Sequence, residues 1–135
     1  MEMEFNDYLI SDSKNLLQID RIHTMLKSTY WANNREIETI KKSIDNSLCF
    51  GVYKNNVQVG FARCVTDFAT AYWLCDVVIE NDHRGLGLGK ALMKIITEHD
   101  EIKNLLGILG TKDAHGLYEQ YGFNRDKEAF MRKRP

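Results

Sequence analysis

Ala71-Tyr72-Trp73-Leu74-Cys75-Asp76-Val77-Val78-Ile79, then Glu80-Asn81-Asp82-His83, then Arg84-Gly85-Leu86-Gly87-Leu88-Gly89-Lys90, is the stretch that decides the fold. Residues 71–79 are apolar except for Asp76 and read as a strand buried in a sheet. Leu88, Ala91, Leu92, Ile95 and Ile96 then recur at helical spacing and predict a helix over 87–99. Glycines between a buried strand and a helix let the backbone approach a ligand with no Cβ in the way. Free amides and the helix dipole there suit an anion, most often phosphate. From His83 to Thr97 the charged residues are Arg84, Lys90 and Lys94, with no acid among them.

Two phosphate-binding patterns fail on this loop. The dinucleotide pattern G-x-G-x-x-G needs glycine where Lys90 stands, and an acid about twenty residues on, where Leu105 to Leu109 offers none. The P-loop needs glycine at Arg84 and a hydroxyl at Ala91.

Outward from the loop, the pattern predicts a strand over 5–10, a helix over 15–27 and a second helix over 35–44 carrying Ile37, Ile40 and Ile44. A hairpin follows, residues 48–53 and 57–65 joined at Lys54-Asn55-Asn56. After the glycine helix come a short strand over 105–109, a short helix over 113–121, and a last strand pair ending near 130–132. One strand–loop–helix–strand unit among strand pairs predicts an α+β or α/β chain with a mixed sheet.

The 135 residues, 44% hydrophobic and 27% charged, make one domain over 1–135 with a core of its own. Eighteen basic residues balance 19 acidic ones, which does not point to a nucleic-acid partner. No apolar run approaches the roughly 18 residues of a membrane span. The acidic start Met1-Glu2-Met3-Glu4 is unlike a secretory signal, so the expected setting is cytoplasmic, away from membranes. Cys49, Cys64 and Cys75 lie in apolar runs with no C-x-x-C, and His23, His83, His99 and His115 are scattered; these read as buried thiols and no metal site.

What fits the loop is R-x-x-G-x-G, met by Arg84, Gly87 and Gly89. This resembles the acyl-CoA-binding motif of the GNAT superfamily of N-acyltransferases. Leu117-Tyr118-Glu119-Gln120-Tyr121-Gly122-Phe123, with its tyrosine 34 residues beyond Arg84, looks like that family's second signature, L-Y-x-x-x-G-F. The order of elements matches along nearly the whole chain. The resemblance implies a mostly antiparallel mixed sheet of six to seven strands, about four flanking helices, and central strands splayed at the acyl-CoA site. It also implies transfer of an acetyl group from acetyl-CoA to an amine, with no metal; many members dimerise, which leaves a homodimer open.

Carried over residue by residue, the resemblance places pantetheine and thioester along Val77, Val78 and Ile79, with the Val78 amide as oxyanion donor. The diphosphate falls on the amides of Arg84, Gly85, Leu86, Gly87, Leu88, Gly89 and Lys90. Tyr118 matches the general acid that protonates the departing thiolate. Thr111 stands where the family often has a cofactor-binding Asn. Trp73 stands where the family often has a glutamate base and cannot titrate. Asp76 is the only acid in that strand, and period two would set it on one face with Leu74 and Val78. It reads either as a base acting through water or as a carboxylate paired with Lys or Arg; Asp67 is a weaker candidate base. Tyr30, Trp31 and Arg35 lie where the family borders its acceptor pocket, and read either as acceptor contacts or as anchors of a helix junction. An acyl-CoA-binding module without catalysis is the other class the residues allow.

Overall fold

The computed structural model describes all 135 residues. Six strands form one sheet in sequence order: β1 (Glu2–Phe5), β2 (Tyr8–Ser11), β3 (Leu48–Lys54), β4 (Val57–Thr66), β5 (Ala71–Ile79) and β6 (Leu106–Leu109). All neighbours are antiparallel except β5 and β6, which run parallel. Helices α1 (Ile19–Lys27) and α2 (Ile37–Asp45) precede β3; α3 (Leu88–Thr97) and α4 (His115–Glu119) flank β6 in sequence. This is the expected α+β architecture, with six strands and four helices.

Each face of the sheet has its own core. The larger joins Phe50, Val52, Cys64 and Leu74 to Leu88, Leu92 and Ile96 of α3. The smaller joins Cys49, Phe61 and Val78 to Ile22 and Leu26 of α1 and Ile40 and Ile44 of α2. The i, i+4 and i, i+3 spacings on these helices supply the buried stripes.

Two bulges break the central ladder. Between the pairs Val52↔Gly60 and Tyr53↔Gln58, β4 carries one extra residue, Val59. Between Phe61↔Val78 and Arg63↔Cys75, β5 spends three steps against two on β4. Asp76 lies in this second bulge at φ 53°, in the left-handed region. An extra residue exchanges the two faces of a strand. Leu74 therefore packs with α3 while Val78 packs with α1 and α2, which corrects the expectation that both share a face with Asp76.

Three boundaries also differ from the sequence reading. The first expected strand is a hairpin, because Asn6 turns the chain at φ 53°. Helix α1 begins at Ile19 and not at Asn15: Lys14–Leu16 is a separate single turn, and Gln18 is extended. The Gln18 amide donates to Gln58 Oε1 (2.8 Å) and the Gln58 amide donates to Gln18 Oε1 (3.0 Å), so a long-range clamp replaces the helical bond at that point. The last expected strand pair does not form. Residues 122–135 run without regular structure, and Phe130 stacks on Trp73 with ring centroids 5.6 Å apart.

Gly60 tests the packing at the first bulge. A Cβ there would lie 2.9 Å from Cβ of the buried Val52 and 2.8 Å from Cδ1 of the half-buried Ile79. Gly60→Ala is expected to cost about 1–3 kcal/mol. Gly116→Ala, which meets nothing within 4 Å on helix α4, is expected to gain about 0.5–1 kcal/mol. Urea midpoints at unchanged slope are the measure.

Candidate active site

The site is built where β5 and β6 part. Their pairing ends at Leu74↔Leu109, while β5 continues to Ile79. Along residues 75–79 the side of β5 turned away from β4 therefore has no neighbouring strand. The Glu80 amide donates to the Val59 carbonyl at 2.8 Å and sets the phase of the β4–β5 ladder. By the alternation of antiparallel pairs, the Val78 amide faces Phe61 on β4 and the Ile79 amide faces the open side. The ladder thus takes the amide that the sequence reading chose as oxyanion donor, and its neighbour at Ile79 is the one left open.

Past β5, a short turn (Asn81–His83) leads into the glycine loop. Gly85 and Gly87 hold φ of 78° and 84°, where other residues are strained. The first bond of α3 is the Ala91 amide to the Gly87 carbonyl, 3.0 Å. The six amides of residues 85–90 have no acceptor in the protein. Arg84 donates from Nε to the Ile79 carbonyl at 2.9 Å, tying the loop to the open end of β5. Phe5 supports the loop from the first hairpin: a Cβ on Gly87 would lie 3.3 Å from its ring. Tyr8 Oη and His83 Nδ1 share a hydrogen bond of 2.7 Å beside it. A groove of about 370 Å³ continues from Gly87 along Lys90, Ala91 and Lys94, closed by Met3, Phe5 and Tyr121. Leu88 differs from its neighbours, since its side chain is buried in the core.

Helix α4 packs Tyr118 against the edge of the larger core. Its phenol is half-buried and packs edge-on against Phe123. Burial pushes its pKa above the ordinary value, and nearby Asp113 and Tyr30 add to the rise. The Tyr121 hydroxyl donates to the Lys90 carbonyl at 2.9 Å and locks α4 onto the start of α3. Thr111 Oγ1 accepts from the Ala114 amide at 3.1 Å, so this hydroxyl is engaged in shaping the entry to α4.

On the other face, the α1–α2 connection meets the bulge. Asp76 Oδ2 accepts from Arg35 Nη1 at 2.6 Å and Arg63 Nε at 2.9 Å, and Oδ1 accepts from Trp31 Nε1 at 3.2 Å. Tyr30 packs edge-on against Trp31, and Lys112 Nζ sits 4.4 Å over the Tyr30 ring. The structure thus joins Tyr30, Trp31, Arg35 and Asp76 in one cluster and brings Tyr30 near Tyr118. Asp67 lies apart, in the β4–β5 turn, where it accepts from the Ala69 and Thr70 amides. Sequence reasoning missed Arg63, Lys112 and Phe130. Arg63 had a signal: it and Asp76 are opposite lone charges inside neighbouring apolar strands, and buried charges demand partners.

The sequence profile of the Acetyltransferase (GNAT) domain matches residues 45–125. The chain belongs to the GNAT acetyltransferase family. A solved protein from Xanthomonas campestris pv. campestris, described as belonging to the GNAT family, is 37% identical to this GNAT domain, with a TM-score of 0.91 over 98% of this chain and 96% of that one. A Gibberella zeae protein named as an acetyltransferase is 31% identical over 112 residues, 68% of this chain and 63% of that protein, so the chain spans less than two thirds of that relative. A predicted acetyltransferase from Clostridium acetobutylicum, solved with acetyl-CoA, shares the fold at a TM-score of 0.68 and 14% identity, covering 93% of this chain and 94% of that one. No helix of this GNAT domain is long and apolar enough to cross a membrane.

The cysteines carry no activated thiol. Burial pushes Cys75 up to about 11 and Cys49 up to about 12, and raises Cys64 further still. The unfolded chain releases these protons from about pH 8.5 upward, while the folded chain keeps them. Between those values the folded state binds more protons, so stability is whole below about pH 8.5 and falls as pH rises. Urea midpoints are expected to be flat from pH 6 to 8 and to decline above about pH 9, and less steeply in Cys75→Ala.

Proposed function

We propose that this chain transfers the acetyl group of acetyl-CoA to a primary amine by direct attack of the amine on the thioester. The observation that carries the reading is the row of six unpartnered amides at the start of α3, flanked by Arg84, Lys90 and Lys94 and opening beside the split between β5 and β6. A diphosphate satisfies such donors as no neutral group does. The groove with Lys90, Lys94, Phe5 and Tyr121 suits the phosphorylated nucleoside end of the same molecule. The open side of β5 then receives the extended pantetheine arm, and the Ile79 amide is placed to bond the thioester oxygen as it gains charge.

The thiols support direct attack: Cys49 and Cys64 are buried, Cys75 is half-buried, and desolvation raises all three pKa values, so none is an activated acyl-enzyme nucleophile. An alkylamine near pKa 10.4 must lose a proton at a cost of about 4–5 kcal/mol at pH 7. Attack then expels the CoA thiolate; the Tyr118 phenol supplies its proton, and the proton shed by the new amide nitrogen restores the phenol by way of solvent. A raised pKa keeps that phenol protonated throughout the neutral range. Tyr30 and Trp31, both exposed, border the side from which an acceptor would enter.

A second reading, an acyl-CoA-binding module without catalysis, is favoured by one feature. On β5, Trp73 is covered by Phe130 and Asp76 is taken by two guanidinium groups, so the strand offers no free carboxylate.

Calorimetry with CoA and acetyl-CoA tests the loop, and release of free thiol across an amine panel separates the two readings. The enzyme reading expects binding of both ligands and amine-dependent thiol release. Binding with no acceptor would support the module, and no binding would remove both. Tyr118→Phe is expected to lower kcat about a hundredfold while the KM for acetyl-CoA stays within about twofold. Unchanged kcat would take Tyr118 out of the chemistry.

A further inference from the structure

Asp76 is a buried ionisable side chain held by three donors. Its side chain is 2% exposed, yet it belongs to a strand that borders the proposed acetyl-transfer site. A general base needs a lone pair open to water or to the amine. Here Oδ2 accepts from two guanidinium groups and Oδ1 from an indole N–H. Arg63 is fixed in turn, donating from Nη1 to Ser47 Oγ at 3.1 Å.

The other end of these bonds is the connection between α1 and α2, residues 28–36. It contains no helix or strand. Thr29 anchors its first half: its hydroxyl donates to the Leu26 carbonyl (2.7 Å) and accepts from the Ala32 amide (3.1 Å). Ala32 packs into the smaller core, and Trp31 and Arg35 on either side of it both attach to the same carboxylate. Trp31 is 43% exposed and Tyr30 52%, so packing alone does not hold these rings. Resting on the acetyl-transfer reading, we infer that Asp76 is a positioning residue: through Arg35 and Trp31 it holds the acceptor-side connection against the bulge of β5. The bulge is part of the device, because the left-handed backbone at residue 76 turns the carboxylate toward α1 and α2.

Asp76→Asn tests this with two independent readouts. In steady-state kinetics with whichever amine the panel identifies, the amine KM is expected to rise about tenfold, with acetyl-CoA affinity within about twofold and the acidic limb of the kcat profile in place. A base role predicts the reverse: kcat collapses, the acidic limb is lost, and the amine KM stays put. In hydrogen exchange of the unliganded protein, amides of residues 28–36 are expected to exchange faster while those of α3 are unchanged. Trp31→Phe and Arg35→Lys leave the carboxylate in place, and serve if Asp76→Asn does not fold. Both are expected to speed exchange in 28–36, and unchanged exchange in both overturns the tether. If the wild-type protein acetylates no amine, the activity reading falls by itself, and the exchange experiment still decides whether Asp76 holds this segment.

Discussion

A single carboxylate ties the α1–α2 connection to the central sheet of this protein. A lone Asp buried in a strand costs several kcal/mol in desolvation, and its left-handed backbone adds about 1–3 kcal/mol. Arg35 and the Trp31 indole, both from the α1–α2 connection, and Arg63, from β4, offset these terms. The bulge that turns Asp76 also exchanges the faces of β5, sending Leu74 to the α3 core and Val78 to the α1–α2 core. One local distortion thereby ties both layers of helices to the strand that borders the split.

The split and the glycine loop are a second consequence of the same strand. Beyond Leu74, β5 has a partner on one side only, and Arg84 reaches back to its Ile79 carbonyl. Phe5 and the Tyr8–His83 bond press on the loop from the first hairpin, and Tyr121 holds the first turn of α3 from α4. Amides held this way need little reordering to meet an anion, which is where preorganised donors gain their strength. Distant ends of the sequence thus converge on a loop of seven residues.

Much of this was legible in the sequence. Helical spacing located α2 and α3, and the apolar run broken only by Asp76 located β5 at residues 71–79, because strands covered on both faces show little polar alternation. The glycine spacing and the Tyr118–Phe123 segment carried the family. Less legible were elements held by long-range partners: α1 starts where Gln58 meets Gln18, and the C-terminal segment lies on Trp73 through Phe130 without becoming a strand. Asn6, a residue tolerant of left-handed backbone, was the overlooked signal for the first hairpin.

By itself the sequence determined the order of elements, the identity of the helical faces and the glycine-rich, basic character of the loop, because these depend on neighbours within a few residues. Only the tertiary structure decided which amide of β5 stays open, which way Asp76 faces and what pairs with it. Those properties follow from a bulge whose parity is set across the β4–β5 ladder, and local periodicity carries no record of a register shift made by a partner strand.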